Sequence, residues 1–517
     1  MVDFDYIVIG GGTAGCVLAA RLSHDPDTRV HLLEAGAATP SAGMSDPVAF
    51  FSLQGSSVDW AHQTTPQAET ENAVHLWPRG KVLGGSSGIN GMMYFRGDRS
   101  SYDAWEAAGA SGWNYDALLP FFKRSERAVG GDPAYRGLDG PTQVAPAGAK
   151  DPLWEAAFEA AVHAGHAAID DSNGATATGT SWHESNVVNG ERQSAADGYL
   201  VPVAGRANLT IVADAHARRL RVKPGRCEGV EYLKDGKIHT SFADREIILS
   251  AGTIGTPQLL LLSGIGAGPH LRDLGIDVVA DMPGVGANLQ DHPKSQVAYT
   301  TTQSVGNGVR ARKPQVLVRS ASTEVPDVHA IFLDFPIHPR FAIGQEHGYS
   351  VIFALMNPSS RGSIRLASAD PERAPINNPR YLTDPSDMSR LTVGLRAARE
   401  IGSAPAFAHL RNEELFPGSQ TRSDAACHAY LRRTVSTYFH PVGTCKIGSN
   451  GSSVVDAALK VHGIENLRIA DASVMPSIVS GNTNAAVLAV AERAASLLMG
   501  EPMTFADVND GCGNWRR

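Results

Sequence analysis

The chain opens on an apolar run, residues 2–9, rich in β-branched side chains, which passes straight into Gly10-Gly11-Gly12-Thr13-Ala14-Gly15. Residues 17–22 then take up an apolar, helix-forming composition, so the stretch predicts strand, tight turn and helix. Gly10, Gly12 and Gly15 stand at G-x-G-x-x-G spacing. The first permits the turn, the second lets backbone approach a pyrophosphate, and the third lets helix pack on strand, with the diphosphate on free N–H groups at the helix's positive end. A second predicted strand, residues 29–33, delivers Glu34, 19 residues beyond Gly15. A carboxylate there accepts both hydroxyls of an adenosine ribose and argues against a 2′-phosphate. The unit is a dinucleotide-binding entry that leaves NAD and FAD both open.

Farther along, helices are predicted over 101–108, 115–127 and 151–164, the last with Asp151 as N-cap and Pro152 at the first helical position. Residues 77–97 set glycine and serine inside an apolar context, and Ile89, Met92, Met93, Tyr94 and Phe95 are poor surface residues, so this segment should bring backbone close to a partner. Strands are expected at 208–212 and 219–222. A strand at 245–250 runs through a small-residue turn, 251–258, into a helix at 259–263, a second place where backbone approaches a cofactor. From about residue 294 the texture changes to alternating strands at 295–301, 316–319, 327–335, 350–356 and 362–366. Val328, Ala330 and Phe332 interleave with His329, Ile331 and Leu333, the period of an antiparallel sheet with one core face and hence a second domain. Helices follow at 387–400, 425–434 and 485–499, the last stopped by Gly500; residues 501–517 read as a polar, frayed tail.

At 517 residues the chain exceeds one typical core, which predicts two or more domains. A net charge of −8 gives no support for nucleic acid or an anionic membrane surface as partner, which points to a small-molecule enzyme. Cys16, Cys227, Cys427, Cys445 and Cys512 form no C-x-x-C pair, so neither a disulfide framework nor a zinc or other metal site is suggested, and the odd count fits a reducing compartment. Asp3 and Asp5 stand where a secretory signal needs a basic segment and an apolar core, and no apolar run is long enough to span a membrane. The expected location is the cytoplasm.

Several stretches together resemble one family. Residues 79–91 (RGKVLGGSSGING) and 250–260 (SAGTIGTPQLL) are similar to the two signatures of the glucose-methanol-choline oxidoreductases, FAD enzymes that oxidise alcohols. Residues 283–292 (PGVGANLQDH), 439–445 (FHPVGTC), 468–476 (RIADASVMP) and 481–484 (GNTN) resemble further family segments in family order, and the likeness extends over residues 4–499. The resemblance implies an α/β plus α+β architecture. A Rossmann-like FAD-binding domain would be assembled from 1–150, 195–293 and 435–500, and a substrate domain built on an antiparallel sheet from 151–194 and 294–434. Within the family the chain is most similar to bacterial aryl-alcohol, hydroxymethylfurfural and pyridoxine oxidases and to choline dehydrogenase-like proteins. Some members attach flavin covalently through a histidine where this chain has Ile89, which implies non-covalent FAD here; some carry histidine where this chain has Asn482.

Alcohol oxidation needs a base for the hydroxyl proton, and a neutral imidazole serves at neutral pH. Among 18 histidines, His440 matches the family's catalytic position. Asn482 would hydrogen-bond the alcohol oxygen, while Asn482 or Thr483 is also placed to cap the last helix, whose N-terminus the family points at the flavin's pyrimidine edge. By the same resemblance Thr13 and Ala14 sit in the phosphate turn, Glu34 and Ala35 at the ribose, and Asn90, Gly91, Met92 and Met93 along the flavin. Ala217 would meet the adenine, and Asp471 and Ala472 the ribityl chain. Val82, Gly84, Phe439 and Thr483 complete the expected cofactor contacts, with Trp60, Met92, Phe332 and Phe335 as candidate pocket walls. The implied function is oxidation of a primary alcohol, aromatic, furanic or similar, to the aldehyde by hydride transfer to flavin N5, with dioxygen as reoxidant and hydrogen peroxide as product. A quinone- or dye-linked choline-like dehydrogenase and a hydroxynitrile lyase retaining FAD are the alternatives. The lack of a haem or iron–sulfur motif favours oxygen. The identity of the alcohol and the oligomeric state stay open.

Overall fold

The computed structural model describes residues 3–39, 41, 43–146, 148–305, 312–319, 325–338, 342–344 and 347–501. Of the tail expected at 501–517, residues 502–517 lie outside them. Two seven-stranded sheets organise the fold. In the first, Leu209–Val212, Val30–Leu33, Phe4–Ile9, the end of Lys237–Leu249, and Leu467–Ile469 run parallel in that spatial order. The first half of Lys237–Leu249 instead continues an antiparallel meander with Arg226–Lys234 and His216–Lys223. Ile7, Val8, Leu32 and Ile247 are fully buried, as parallel strands covered on both faces must be. Their carboxyl ends converge on the glycine turn, where open α/β sheets form their ligand crevice.

The second sheet is antiparallel, in the order Arg411–Phe416, Pro293–Thr301, Gly348–Leu355, Val328–Leu333, Pro314–Val318, Gly179–Trp182. Its alternation follows the expected pattern. Val328, Ala330 and Phe332 pack with residues of the helices Pro152–His163, Pro385–Gly402 and Asp424–Thr434. The opposite face carries Ile352, Ala354, Met356 and Ile331, and turns toward the first sheet's crevice. The predicted cap at Asp151 is present, its side chain accepting from the Leu153 N–H.

Two expectations on the elements need correction. The helix expected across 115–127 stops at Ser125, and Glu126–Ala128 is a strand paired with Thr142–Pro146. Glu126 is wholly buried and takes ion pairs from Arg96 (2.5 Å) and Arg136 (2.8 Å), so tertiary pairing overrides local helix preference. The turn expected at 251–258 is already helix, Gly252–Leu262, despite Pro257. Proline frees the carbonyl four residues back, and the Thr444 hydroxyl donates to that carbonyl, Thr253 O, at 2.7 Å. Among the described residues no helix is long and apolar enough to cross a membrane.

The last helix, Thr483–Met499, packs beside the first, Thr13–Leu22, and both direct their N-termini at the crevice. Thr13 Oγ1 donates to Asn484 Oδ1 at 2.9 Å, joining the two ends. Deeper in, the buried Glu492 carboxylate accepts from Arg21 (2.7 and 2.9 Å) and Tyr199 (2.8 Å) and pairs with Arg124 (3.1 Å). The guanidinium charges hold its pKa below the ordinary carboxylate value against burial. Removing the carboxylate leaves the largely buried Arg21 without its ion-pair partner, while Arg124 keeps Glu501 at 2.8 Å, so Glu492→Ala is expected to destabilise by about 3 kcal/mol, read as a shift of the denaturant midpoint. A variant within about 0.5 kcal/mol of the parent would show that the cluster does not anchor the helix.

Candidate active site

A cavity of about 570 Å³ runs from the glycine turn to the polar face of the second sheet. At one end Gly10 has φ +101°, and a Cβ on Gly15 would lie 1.9 Å from the Gly10 carbonyl oxygen. Gly15 therefore allows the helix to close on the strand and lies off the cavity wall, whereas Gly10, Gly12, Thr13 and Ala14 line it. Glu34 is buried beside them and accepts from the Gly11 and Gly36 N–H groups, each at 2.7 Å. Burial pushes its carboxyl up to about 7. Its oxygens thus brace the turn as well as facing the crevice. Ala35, Ala217 and Trp60 line the same end, the Trp60 ring lying 6.0 Å from His62, 5.4 Å from His216 and 4.6 Å from the Lys81 ammonium.

The middle of the wall is the segment from Ile89 to Met93. Arg192 Nη1 donates to the Asn90 carbonyl oxygen (2.5 Å) and Oδ1 (2.9 Å), which pins the loop. A Cβ on Gly91 would meet nothing within 4 Å, so its backbone opens onto the cavity; Met92 holds φ +60°. Val82 and Gly84 are off the wall. Val82 packs with Met44, Leu53, Val58 and Ile89, and the Gly84 N–H donates to Gly11 O at 2.8 Å. Asp471 and Ala472 are on it, but the Asp471 carboxylate is engaged by the Gly252 and Ser473 N–H groups (2.8 Å each) and the Thr256 hydroxyl (2.6 Å). Phe332 and Phe335 line the far side.

His440, Asn482, Thr483 and Phe439 meet at the other end. Phe439 takes φ +67°, costly for a bulky residue, and the loop is held by Asp291, whose Oδ1 accepts from the His440 N–H at 2.8 Å. Asp291 Oδ2 accepts from the hydroxyls of Thr437 (2.6 Å) and Tyr381. The imidazole is oriented by a second histidine. His292 Nε2 lies 3.0 Å from the Met356 carbonyl oxygen and its Nδ1 lies 3.0 Å from His440 Nδ1. A carbonyl only accepts, so His292 carries its proton on Nε2; its Nδ1 then accepts from His440 Nδ1–H. His440 Nε2 is left with the lone pair. That nitrogen is 3.3 Å from Asn482 Nδ2, a donor, while Asn482 Oδ1 is buried without a hydrogen-bond partner among the described residues. Asn482 occupies the N-cap position with extended backbone, yet makes no side-chain cap bond. Its amide is turned to the histidine instead.

Burial holds His440 well below the ordinary histidine value of 6.5, and His292, Arg79, His329 and Lys294 push the same way. Asp291, His292, Arg79, Lys294 and Tyr438 were not singled out from the sequence; the Asp-His pair closing residues 283–292 was the available signal. The arrangement can take a proton from an oxygen placed between His440 Nε2 and Asn482 Nδ2. The cavity also fits FAD: one helix N-terminus with a glycine turn at the nucleotide end, a second with uncapped N–H groups at the catalytic end, and bare backbone at Gly91 between.

GMC oxidoreductase profiles match residues 4–294 and 358–491. The mitochondrial choline dehydrogenase of Mus musculus is 39% identical over 97% of this chain and 90% of its own length. The oxygen-dependent choline dehydrogenase of Sinorhizobium fredii is 37% identical, covering 96% of each chain. Among solved structures, pyridoxine 4-oxidase from Mesorbium loti superposes with a TM-score of 0.92 at 34% identity, over 97% of this chain and 100% of that one. With its fold, its cavity and its whole-length relatives in agreement, this chain belongs to the GMC oxidoreductase family, FAD enzymes that act on alcohols.

Proposed function

We propose that the protein oxidises a primary alcohol, aromatic, furanic or similar, to the aldehyde and is reoxidised by dioxygen with release of hydrogen peroxide. The observation that carries this reading is the contact series from the Met356 carbonyl through His292 to His440, whose hydrogen-bond logic leaves a lone pair on Nε2 beside the Asn482 amide. FAD supplies the acceptor for the two electrons and the carbinol hydrogen. The alcohol oxygen donates its proton to His440 Nε2 and accepts from Asn482 Nδ2, so the two side chains fix its position and direction. His292 keeps His440 in the productive tautomer, and Asp291 fixes the loop that carries it. A positive charge arises on His440 as the alcohol O–H is lost, and such a charge favours electron transfer to oxygen. The names of the Sinorhizobium fredii and Mesorbium loti proteins support oxygen as acceptor for this chain as well. Cys16, Cys227, Cys427 and Cys445 are free, which supports a place in the cytoplasm.

His440→Ala should lower the rate of anaerobic flavin reduction about 100- to 10,000-fold at unchanged FAD content, and Asn482→Ala less. Stopped-flow reduction of the histidine variant within about threefold of the parent would remove His440 from the role. The base works only unprotonated, and its pKa lies below 6.5, so kcat/KM should stay level from neutral pH down through 6.5 and fall only beyond it. A limb centred at or above the ordinary histidine value would contradict the burial argument. In air, substrate-reduced enzyme should reoxidise as fast as it turns over, with one peroxide per alcohol; reoxidation that requires a quinone or dye, without peroxide, would make the protein a dehydrogenase.

A further inference from the structure

Phe439, the residue before the base, holds left-handed backbone at φ +67°, which persists only if the peptide units on both sides of it are kept in orientation. The unit before it is fixed through the Phe439 N–H, which donates to Thr437 Oγ1 at 2.7 Å. The unit after it carries the Phe439 carbonyl and the His440 N–H. Arg79 Nη2 donates to that carbonyl at 2.6 Å, and Asp291 Oδ1 accepts from that N–H at 2.8 Å. A cation thus sits at the negative end of one peptide dipole and an anion at its positive end, both in charge-assisted hydrogen bonds. Pro441 follows and disfavours helical backbone at His440 itself.

Arg79 reaches this peptide from the start of the glycine-rich segment 79–91, a distant part of the chain. Its own backbone is pinned: its N–H donates to Asp59 Oδ1 at 2.7 Å, and its carbonyl accepts from the Trp60 N–H at 2.9 Å. The next residue cannot shift either, because a Cβ on Gly80 would lie 2.1 Å from Gly85 O. Burial lowers the pKa of the guanidinium, and Asp291, Asp59 and Tyr381 oppose that effect. Its charge is therefore offset inside the protein, and its Nη2 is directed at a backbone carbonyl.

We infer that Arg79 is a positioning residue for the base: by holding the carbonyl end of the peptide whose N–H end Asp291 holds, it keeps Phe439 left-handed and the His440 ring seated between His292 and Asn482. This rests on His440 as the base of the alcohol-oxidising reading and adds what keeps that base in place. Without the guanidinium the peptide is held at one end only. Phe439 can then relax, and the ring leaves the contacts with His292 (3.0 Å) and Asn482 (3.3 Å) that direct its lone pair. Arg79 has a second, separable effect. After burial and His292, its charge helps hold the pKa of His440 low. His329, Lys294, Tyr438 and Asp291 also face His440 and stay in place when Arg79 is replaced. Loss of the charge alone makes the imidazolium easier to form, so the acid limb of flavin reduction moves to higher pH and the plateau above it is unchanged. Loss of positioning lowers the plateau itself.

The test is anaerobic stopped-flow reduction of FAD-loaded Arg79→Met and Arg79→Lys across pH, with an alcohol that reduces the parent. The plateau rate of Arg79→Met should fall about tenfold or more at unchanged FAD content, and Arg79→Lys, which keeps a charged donor, should fall less. Glycine takes left-handed backbone without steric cost, so in a Phe439→Gly background the same Arg79→Met change should cost at least about threefold less than it does beside phenylalanine. A plateau within about threefold of the parent, with or without a shifted limb, overturns the inference, and so does an equal loss in both backgrounds. Arg79→Gln takes the place of the methionine variant if that one does not retain FAD; loss of FAD from both overturns the inference in favour of a role in holding the cofactor. A parent that no alcohol reduces, or a His440→Ala variant as fast as the parent, overturns the base reading and this inference with it.

Discussion

A peptide carbonyl has no proton to give, and that constraint propagates through two imidazoles. Because Met356 O can only accept, His292 must protonate the nitrogen facing it; because His292 is then an acceptor at its other nitrogen, His440 must donate there. The lone pair on His440 Nε2 is thereby fixed without any charged group in direct contact with the ring. Burial pushes His292 down to about 3, so it stays neutral and the direction of the relay does not reverse over ordinary pH. An acidic partner in its place would raise the proton affinity of His440 and risk a resting imidazolium, which cannot act as the base. Here the carboxylate, Asp291, is kept for the backbone of the loop instead.

The same economy of roles is visible at Asn482. As an N-cap its side chain would stabilise the last helix by roughly 1 kcal/mol. It makes no such bond and spends its amide on His440. The helix can tolerate the loss because its anchoring lies further along, at Glu492 with Arg21, Arg124 and Tyr199, and because Thr13 and Asn484 tie its first turn to the neighbouring helix. Uncapped N–H groups left at the cavity are what a cofactor that gains negative charge on reduction requires.

The fold was largely legible along the chain because it rests on periodicity. Val328, Ala330 and Phe332 alternate with His329, Ile331 and Leu333 in the sequence and separate onto the two faces of the sheet in space. The glycine turn was legible for a steric reason, since no Cβ fits at Gly15 against Gly10 O. Glu126 was not, because its backbone follows Arg96 and Arg136, distant in sequence. His440 stood out among the histidines only through resemblance. His292 and Asp291 act through partners at Met356, Thr437, Tyr381 and Arg79 that no local pattern connects to them. Val82, Gly84 and Gly15 show the converse: expected as cofactor contacts, they shape the turns and lie off the cavity wall.

Polarity on the cavity face of the second sheet carries a cost that the apolar face does not. His292, Lys294, Gln315 and His329 are buried there, and each needs compensation. Part is internal: His329 Nε2 pairs with Gln315 Oε1 at 3.0 Å, and His292 with Met356. Part is not, since Asn482 Oδ1 and the Tyr438 hydroxyl, at the His440 end, have no hydrogen-bond partner among the described residues. A ligand that presents matching polar groups relieves that cost, whereas an apolar ligand of the same shape leaves it standing. Sites built this way separate substrates by roughly 10,000-fold or more, where a purely apolar pocket resolves a missing methylene by only about 10- to 200-fold. Substrate choice in this cavity therefore depends more on the placement of its polar and charged groups than on its volume.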